Sequence, residues 1–257
     1  GEWYYFVGNG YESQNDLAKL LAIRIRDGAI TVIDTDSAGG NNPTATNVDQ
    51  RPNGLGGVTP VYDANRNIIA IYAGDRLGRL WKFDLSSTSR SAWSSTQRFT
   101  ATDPGGNRQP ITAAPRIVPH PLGGRMVVFG TGRLSERNDI SDLSQQTVYG
   151  VWEKNTSSPA TVNKSTLRQF TLVDQVETTT NTRFRQLTGT TSLNWGTDNG
   201  WYFNLLVGTD ADGERVVASP TENFGFVNIP SFEPSTDGDP CQGGGRRDRF
   251  RGRYRRE

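Results

Sequence analysis

Cysteine and histidine are nearly absent from this chain, which has one of each, Cys241 and His120. A single cysteine cannot form an internal disulfide, and a single histidine cannot supply the Cys and His clusters of zinc centres. Long apolar runs are missing as well, since no stretch approaches the roughly 20 apolar residues of a transmembrane helix. The sequence therefore excludes a disulfide-stapled scaffold and a Cys/His zinc centre, and it predicts no membrane span.

Net charge is close to zero, because 28 lysines and arginines are set against 27 acidic residues, for a net of +1. The balance fails near the end of the chain, where Arg246–Glu257 holds seven arginines against Asp248 and Glu257. One interpretation of this tail is a contact with nucleic acid or an acidic surface, helped by Phe250 and Tyr254. The simpler interpretation is a disordered, solvated terminus. We favour it and expect no nucleic-acid partner.

Glycine and proline are plentiful, with 29 and 13 residues, whereas apolar residues make up only 33% of the chain. Together with a mean hydropathy of -0.61, this composition is typical of short strands separated by many turns and loops. At 257 residues the chain is long enough for one large all-β domain with a full core. It begins at Gly1, close to a first predicted strand, so we expect a piece of a longer protein.

Residues Val58–Leu85 show how the predicted strands are organised. Three β-type runs, Val58–Tyr62, Ile68–Ala73 and Leu80–Leu85, are separated by short turns rich in Gly, Asp and Asn. Runs joined in this way predict an antiparallel meander. Because one meander cannot bury both of its faces, it needs further copies of itself as neighbours.

Partial copies of this unit recur along the chain, and most contain a strand that runs into a glycine turn. Around the meander they are Trp3–Gly10 with Leu20–Asp34; Ile111–Val118 with Met126–Gly132 and Val148–Glu153; and, more loosely, Trp201–Leu206 with Arg215–Ala218 and Phe224–Val227. About four such blades predict an all-β, β-propeller-type fold with quinoprotein-like blades, incomplete and with long loop insertions. We expect this domain to cover residues 1–245 and the basic tail to cover residues 246–257.

Catalytic constellations are weak in this sequence. His120 lies between Pro119 and Pro121 in an extended turn, and no partners stand at the spacing that a catalytic or metal site requires. There is no nucleophile elbow and no phosphate-binding glycine loop. We therefore predict a non-enzymatic binding function, carried by the long polar insertions. Those insertions are Thr35–Pro52, Ser86–Gln109 and Ser157–Asn194.

One turn has the beginning of a calcium-binding pattern. Asp63, Asn65 and Asn67 place oxygen-bearing side chains at alternate positions, as the start of an EF-hand-like loop does. Ile68 stands where such a loop has its glycine, and no carboxylate follows until Asp75. The alternative is a hairpin turn in which Asp and Asn side chains bond their own backbone, and we favour it.

A set of short motifs stands in a fixed order from Gly8 to Gly245. Its most specific members are YAGD at Tyr72–Asp75, LWKFDL at Leu80–Leu85, FGTGR at Phe129–Arg133 and YGVW at Tyr149–Trp152. Others are Gly8–Tyr11, Asn53–Leu55, Thr59–Asp63, Pro110–Pro115, Gly213–Val216 and Asp239–Cys241. In combination they resemble the C-terminal propeller of the PilY family, whose members are type IV pilus biogenesis factors and tip-associated adhesins.

The resemblance implies a domain that supports pilus assembly, twitching motility and surface attachment. It implies minor pilins and the pilus tip complex as partners, a host or abiotic surface as ligand, and a location from the periplasm to the pilus tip at the cell surface. It also implies calcium, because Asp63, Asn65 and Asn67 match the first three ligands of the family's calcium loop. That loop is shortened here: its glycine is missing and Ile69 stands at the place of the final Asp. We therefore expect no high-affinity Ca²⁺ site and no other cofactor. The arginines after Gly245, where the family continues into a further strand, suggest a truncated or frame-altered end.

The alternative function is enzymatic. Pyrroloquinoline quinone dehydrogenases share the blade signature of a turn glycine followed by a run such as LWKFD. Those enzymes also need a calcium ion held by Glu, Asn and Asp beside the quinone, together with an Asp base, and the sequence shows no such set. For either function, Trp81 and Trp152 lie on the apolar phase of equivalent strands, so both are predicted to be buried between sheets.

Overall fold

The structure is a computed structural model, and it describes residues 2–11, 17–38, 50–155, 160–177, 182–189, 192–207, 211–234 and 246–253. Within these ranges the chain forms strands and short 3-10 turns and no α-helix, which confirms the predicted all-β class. The strands are β1 Tyr4–Gly8, β2 Leu17–Arg24, β3 Ile30–Ala38, β4 Leu55–Tyr62, β5 Ile68–Asp75, β6 Arg79–Asp84, β7 Ser94–Thr100, β8 Arg116–Pro119, β9 Arg125–Gly130, β10 Thr147–Glu153, β11 Arg168–Glu177, β12 Thr182–Thr188, β13 Gly200–Val207, β14 Thr221–Asn223, β15 Phe226–Glu233 and β16 Arg246–Arg253. The 3-10 turns are Arg90–Ala92, Arg137–Ile140 and Lys164–Thr166. Across the described part of the chain, no helix has the length and apolar character needed to cross a membrane.

The chain divides into two compact units between Ile117 and Val118. The first unit holds two antiparallel sheets, with strand orders β1-β2-β3 and β4-β5-β6-β7. The sheets that follow have the orders β12-β11-β13-β10-β9-β8 and β14-β15-β16. All four sheets are open, as expected for an incomplete propeller.

Strands β4 to β7 form the predicted meander, with one strand more than the sequence indicated. In the pairing of β5 with β6, Ala73 lies opposite Trp81. Gly78 closes the turn between these strands with a φ of 75°, a left-handed conformation that favours glycine. The additional strand β7 lies within the segment that the sequence assigned to an insertion. The sequence did not predict this strand because its composition is polar: of its residues, only Arg98 and Phe99 are buried.

Each unit has its own apolar core. The core of the first unit contains Ala18, Leu20, Ala22, Ile33, Leu55, Ile71, Ala73, Trp81, Phe83 and Leu85. The core of the second contains Val118, Met126, Val128, Val148, Trp152, Leu172, Phe203, Leu205, Val216, Val227 and Ile229. Trp81 and Trp152 are 6% and 8% exposed, so the predicted burial of both indoles is confirmed.

The fourth predicted blade was partly wrong. Trp201–Leu206 belongs to β13, which joins the third sheet between β10 and β11. There it runs antiparallel to β10 and parallel to β11. After β10 the chain passes over one strand position and forms the β11–β12 hairpin at the edge of the sheet. It then returns as β13, which fills the position between β10 and β11. Arg215–Ala218 is not a strand, although Arg215 forms an isolated bridge with Phe232.

The basic tail is partly ordered, which corrects the expectation of a disordered terminus. Arg246–Arg253 forms β16 and pairs antiparallel with β15, with Glu233 opposite Arg246 and Phe226 opposite Arg253. The physical reason is that strand pairing uses backbone N–H and C=O groups, and an unpaired edge of β15 would lack these partners. An arginine-rich sequence supplies the same backbone groups as any other. Residues 254–257 lie outside the described part of the chain.

Candidate functional site

Asp63, Asn65 and Asn67 lie together in the turn that joins β4 to β5. Oδ1 of Asp63 accepts the backbone N–H groups of Asn65 at 2.9 Å and Asn67 at 2.8 Å, and the Asn67 side-chain amide donates to Oδ2 at 3.0 Å. The backbone N–H of Asp63 donates to the carbonyl oxygen of Asn67 at 2.9 Å. Arg66 takes a left-handed φ of 66° to close the turn. The hydrogen bond from the Asn67 side chain is the largest influence that lowers the pKa of Asp63 below its ordinary value.

A second turn, Asp103–Asn107, repeats this geometry. Oδ1 of Asp103 accepts the backbone N–H of Asn107 at 2.8 Å, and the Asn107 side chain donates to Oδ2 at 2.8 Å. Its sequence, Asp-Pro-Gly-Gly-Asn, has no oxygen-bearing side chain at the third position and so lacks the calcium pattern. The spacing of Asp and Asn four residues apart is common to both turns. It could have been recognised in the sequence as a turn-closing signal.

The donor set of the first turn fits a calcium ion poorly. Calcium takes about six to eight oxygen ligands, and both carboxylate oxygens of Asp63 already accept hydrogen bonds from the turn itself. Among the described residues, no group of three or more His, Cys, Asp or Glu is arranged to hold a metal ion. Calcium binding at Asp63, Asn65 and Asn67 therefore stays a prediction to be tested by titration, and the function proposed below does not depend on it.

A buried carboxylate, Asp75, anchors the second sheet. Its Oδ2 accepts hydrogen bonds from Trp81 Nε1 at 2.9 Å and from Asn53 Nδ2 at 3.1 Å, and its Oδ1 accepts the Arg79 backbone N–H at 2.8 Å. The carbonyl oxygen of Asp75 accepts the Ile111 N–H at 3.0 Å. One residue of the YAGD motif thus joins β6, the segment before β4 and the segment before β8.

Asn9 connects the first sheet to the second in a similar way. Its Oδ1 accepts the backbone N–H groups of Lys19 and Leu55, each at 3.0 Å. The N–H of Gly10 donates to the carbonyl oxygen of Leu55 at 3.1 Å. Gly54 permits this close approach, because a Cβ atom there would lie 1.7 Å from the carbonyl oxygen of Gly10. Asn9, Gly10 and Gly54, which all belong to the motif segments, therefore connect the first sheet to the second.

In the second unit, the buried guanidinium of Arg215 organises the segment after β9. Nε donates to the carbonyl oxygen of Gly213 at 2.7 Å, and Nη1 donates to those of Arg133 and Asp139, both at 2.8 Å. Nη2 donates to the carbonyl oxygen of Asp142. Desolvation lowers the pKa of Arg215. The FGTGR and GERV motifs meet at this cation.

Asp139 lies in the same segment and is also buried. Its Oδ1 accepts Arg133 Nε at 2.8 Å, and its Oδ2 accepts the backbone N–H groups of Ser135 at 2.8 Å and Glu136 at 2.9 Å. Burial alone would raise the pKa of Asp139, but these N–H groups and the Arg133 cation outweigh it and hold that pKa below its ordinary value. The carboxylate is therefore a structural anion that fixes the loop.

Glu214 connects the β11–β12 hairpin to the body of the second unit. Arg185, on β12, donates to its two carboxylate oxygens at 2.5 and 2.8 Å. Ser231, on β15, donates its hydroxyl to the same carboxylate. Paired charges that are buried and hydrogen-bonded in this manner hold elements in register.

His120 is enclosed by indole rings. It stacks on Trp152 with 4.2 Å between ring centroids, and Trp195 meets it edge-on at 4.4 Å. Nδ1 accepts the Leu122 backbone N–H at 3.2 Å, which places the proton of the neutral ring on Nε2. Desolvation lowers the pKa of His120. These contacts indicate that His120 packs against the indoles and supports its own loop, as the sequence predicted.

The structure describes much of two of the three insertions. Ser86–Gln109 contributes β7 and the Asp103–Asn107 turn, and Ser157–Asn194 contributes the β11–β12 hairpin. Strand β12 is the outermost strand of its sheet, and its Leu187 is exposed. Residues 39–49 of the first insertion, and Cys241, lie outside the described part.

Comparison with known proteins gives one consistent family. A protein-family sequence model described as the PilY1 beta-propeller domain matches residues 1–187. The type IV pilus biogenesis factor PilY1 of Pseudomonas aeruginosa strain PAO1 is 31% identical to this chain over 95% of its length. A PilY1 homolog from Xylella fastidiosa is 29% identical, also over 95% of this chain. The match spans only 23% of the first relative and 17% of the second, so the chain corresponds to about a quarter or less of either protein.

A solved structure is also similar. The crystal structure of the P. aeruginosa PilY1 C-terminal domain superposes with a TM-score of 0.75 at 29% sequence identity. The match covers 90% of this chain and 53% of that domain. The blades described above therefore correspond to about half of the solved domain.

Proposed function

This chain belongs to the PilY1 β-propeller domain family, and from that membership we propose that it serves type IV pilus biogenesis as a non-enzymatic binding domain. The observation that carries the proposal is the family match over residues 1–187, together with relatives named as type IV pilus biogenesis factors. Its partners would be minor pilins in the pilus tip complex, and a host or abiotic surface would be its ligand. The site of action would extend from the periplasm to the pilus tip.

The anchors described above suit such a role. Asp75 and Arg215 each fix several backbone segments at fully buried positions. Loops and edge strands supported by a rigid scaffold are the usual carriers of binding residues. The β11–β12 hairpin is one such element, because Arg185 and Glu214 tie it to the core while Leu187 remains exposed. We propose that this hairpin and the Ser86–Gln109 segment contribute to adhesion and twitching.

The quinoprotein alternative would need carboxylates that are available to a calcium ion and a substrate. The buried carboxylates Asp75, Asp139 and Glu214 instead accept hydrogen bonds from the protein itself. A direct test is to load the purified chain with pyrroloquinoline quinone and Ca²⁺ and to apply gel filtration. We expect the quinone to separate from the protein and no alcohol- or sugar-dependent dye reduction. Retention of one equivalent of quinone would favour the enzyme.

The pilus proposal is tested by genetics in the source bacterium. Deleting the parent gene should remove surface pili and twitching, seen by electron microscopy and motility plates, while growth is unchanged. Complementation of the deletion strain with the parent gene carrying Leu187→Asp should restore pili but weaken attachment or twitching, because the substitution alters the exposed edge of the hairpin. Tyr62→Asp is the matched control: Tyr62 is also an exposed apolar strand residue, but it lies at the end of blade strand β4.

The outcomes separate the function from its location on the molecule. A deletion strain that assembles pili, adheres and twitches at wild-type levels would overturn the pilus function. Equal behaviour of the Leu187→Asp and Tyr62→Asp strains would leave the pilus function standing and remove the hairpin from the contact surface.

A further inference from the structure

The fourth sheet, β14-β15-β16, has two faces of different character. Successive residues of a strand alternate between the faces, and residues directly opposite each other in an antiparallel pair share a face. Val227, Ile229 and Ser231 of β15 are buried, and the first two belong to the core of the second unit, so this phase defines the inner face. The residues between them, from Phe226 to Phe232, are half-exposed and define the outer face.

The strand register places four arginines on the outer face. From residue 247 to residue 253, every second residue of β16 is an arginine, and each of them lies opposite an outer-face residue of β15. The opposed pairs are Phe226 with Arg253, Asn228 with Arg251, Pro230 with Arg249, and Phe232 with Arg247. Alternate positions of a strand are about 7 Å apart, so the four positions form a row about 20 Å long. We call these four residues the arginine row.

The acidic residues of this sheet stand on the inner face. Each of them is paired in the inner phase of the register. The pairs are Glu222 with Val227, Asp248 with Ser231, and Glu233 with Arg246. On β14 the outer-face residues are Thr221 and Asn223, which are uncharged. Within its three described strands, the sheet therefore has four arginines and no acidic residue on its outer face.

An exposed aromatic residue stands beside this face, in the turn between β14 and β15. Phe224 is 96% exposed and has a φ of 51°, in the left-handed region that bulky residues seldom adopt. Asn or Gly would suit this backbone better, and the ring buries almost no surface, so the stability of the fold does not explain a phenylalanine here. Asn223 pairs with Phe226, and Phe226 pairs with Arg253, so the turn lies at the Arg253 end of the arginine row.

We propose that the outer face of the fourth sheet binds single-stranded nucleic acid, with the arginine row binding phosphates and with Phe224, Phe226 and Phe232 stacking on bases. Proteins that bind single strands without sequence preference combine a positively charged track for the backbone with aromatic rings for the bases. This face has both features, and no acidic residue on it would repel the phosphates. The expectation of no nucleic-acid partner rested on a disordered tail, and the pairing of β16 with β15 removes that ground.

The aromatic residues favour a single strand over other polyanions. Bases of a single strand can leave the stack and lie on aromatic rings, whereas a duplex keeps its bases paired and an acidic polysaccharide has none. The register also corrects which aromatic residues take part. Phe250 stands on the inner face, opposite the buried Ile229, so the rings come from β15 and its turn.

Fluorescence anisotropy of a labelled oligothymidine of about 20 nucleotides tests the face in the complete chain. We expect binding at low salt, and the logarithm of the binding constant should fall with the logarithm of the salt concentration with a slope of about −3 for four phosphate contacts. Arg249→Gln combined with Arg251→Gln should weaken binding at least about tenfold and reduce the slope by about 1.4. Arg26→Gln combined with Arg137→Gln removes two exposed arginines outside this sheet. This charge-matched control should leave the slope unchanged and the affinity within about twofold.

Phe224→Asn separates base stacking from charge. Asn tolerates the left-handed conformation of the turn, so the hairpin should be retained. Affinity should fall at least about fivefold while the salt slope stays unchanged, because stacking does not involve the phosphates. Hydrogen exchange of β15 peptides checks that β16 remains paired in each variant. Where the arginine substitutions disturb that pairing, the result for Phe224→Asn decides.

Four results would overturn the proposal. The first is an absence of oligothymidine binding at low salt. The second is an equal loss of affinity in the β16 double variant and its charge-matched control, because binding would then follow net charge alone. The third is unchanged affinity in Phe224→Asn. The fourth is equally tight binding of a duplex of the same length or of heparin, which would show a general polyanion site. These measurements use the purified chain, so they stand or fail separately from the proposed function in pilus biogenesis.

Discussion

The indole N–H of Trp81 donates a 2.9 Å hydrogen bond to Oδ2 of Asp75, and both residues are buried. The two side chains belong to neighbouring strands, β6 and β5, so one bond joins the aromatic core of the blade to its polar anchor. The apolar phase of Trp81 is visible in the sequence. Its hydrogen-bond partner is defined only by the pairing of the two strands.

Substitution of Trp81 separates these two contributions. Trp81→Phe keeps an aromatic ring but leaves Oδ2 of Asp75 without the indole donor, so urea unfolding should show a loss of about 1–3 kcal/mol. Trp81→Ala also creates a cavity and should cost roughly 3–5 kcal/mol. Trp93→Phe is the control: Trp93 is half-buried and donates to the Ser87 carbonyl oxygen, so a smaller loss is expected. Equal losses for Trp81→Phe and Trp93→Phe would contradict the role of Asp75.

Calcium titration addresses the Asp63–Asn67 turn. We expect isothermal titration of the wild-type chain to show no micromolar binding, because the Asp63 carboxylate is occupied by its own turn. Asp103→Ala, in the turn of the same geometry without the calcium pattern, controls for effects on folding. Micromolar binding that is abolished by Asp63→Ala and retained by Asp103→Ala would show a calcium site. A weak millimolar response would not.

Arg215→Met tests whether the buried guanidinium of the second unit anchors the segment after β9. The substitution keeps much of the side-chain volume but leaves the carbonyl oxygens of Gly213, Arg133 and Asp139 without these donors. We expect a loss of about 2–4 kcal/mol of stability in denaturant unfolding. Arg26→Met removes an exposed arginine in the other unit and should change stability by no more than about 0.5 kcal/mol. Similar effects of the two substitutions would refute the anchoring role.

His120 should make stability depend on pH in a defined window. Burial lowers the pKa of the folded-state imidazole below its unfolded value of about 6.5, so the unfolded state binds the proton more readily. The stabilising contribution is therefore fully present above about pH 6.5, and it declines as pH falls toward the folded-state pKa. His120→Asn cannot titrate, and its unfolding free energy should fall less than that of the wild type between about pH 7.5 and 5. Parallel pH profiles for the two proteins would contradict this.

Removal of the basic tail tests strand β16. In a chain that ends at residue 245, the β15 edge loses the partner that pairs with it from Phe226 to Glu233. Hydrogen exchange of β15 peptides should then be faster than in the full chain, while peptides of β4 to β6 exchange at unchanged rates. Unchanged exchange in β15 would indicate that β16 does not pair stably in solution.

Much of the fold could be predicted from local patterns. The alternation in Leu80–Leu85 and the Gly–Asp turns identified the meander, and the phase of Trp81 and Trp152 gave their burial. The strand β7 was not predicted, because an edge strand with few buried residues has a polar sequence. Asp75 and Arg215 could be recognised in the sequence as members of motifs, but their hydrogen-bond partners could not. That Arg215 binds the segment from Arg133 to Asp142 depends on contacts between residues more than 70 positions apart.

The sequence by itself determined the class of the fold, the positions of most strands and the family, because side-chain periodicity, turn chemistry and motif order are local properties of the chain. Outside the predicted meander, only the tertiary structure decided which strands are neighbours. It placed β13 between β10 and β11, paired the arginine-rich β16 with β15, and left Tyr5, Ile30 and Val32 of the first sheet exposed. The physical reason is that strand pairing is made by backbone groups common to every residue, so the choice of partner is set by packing between distant segments.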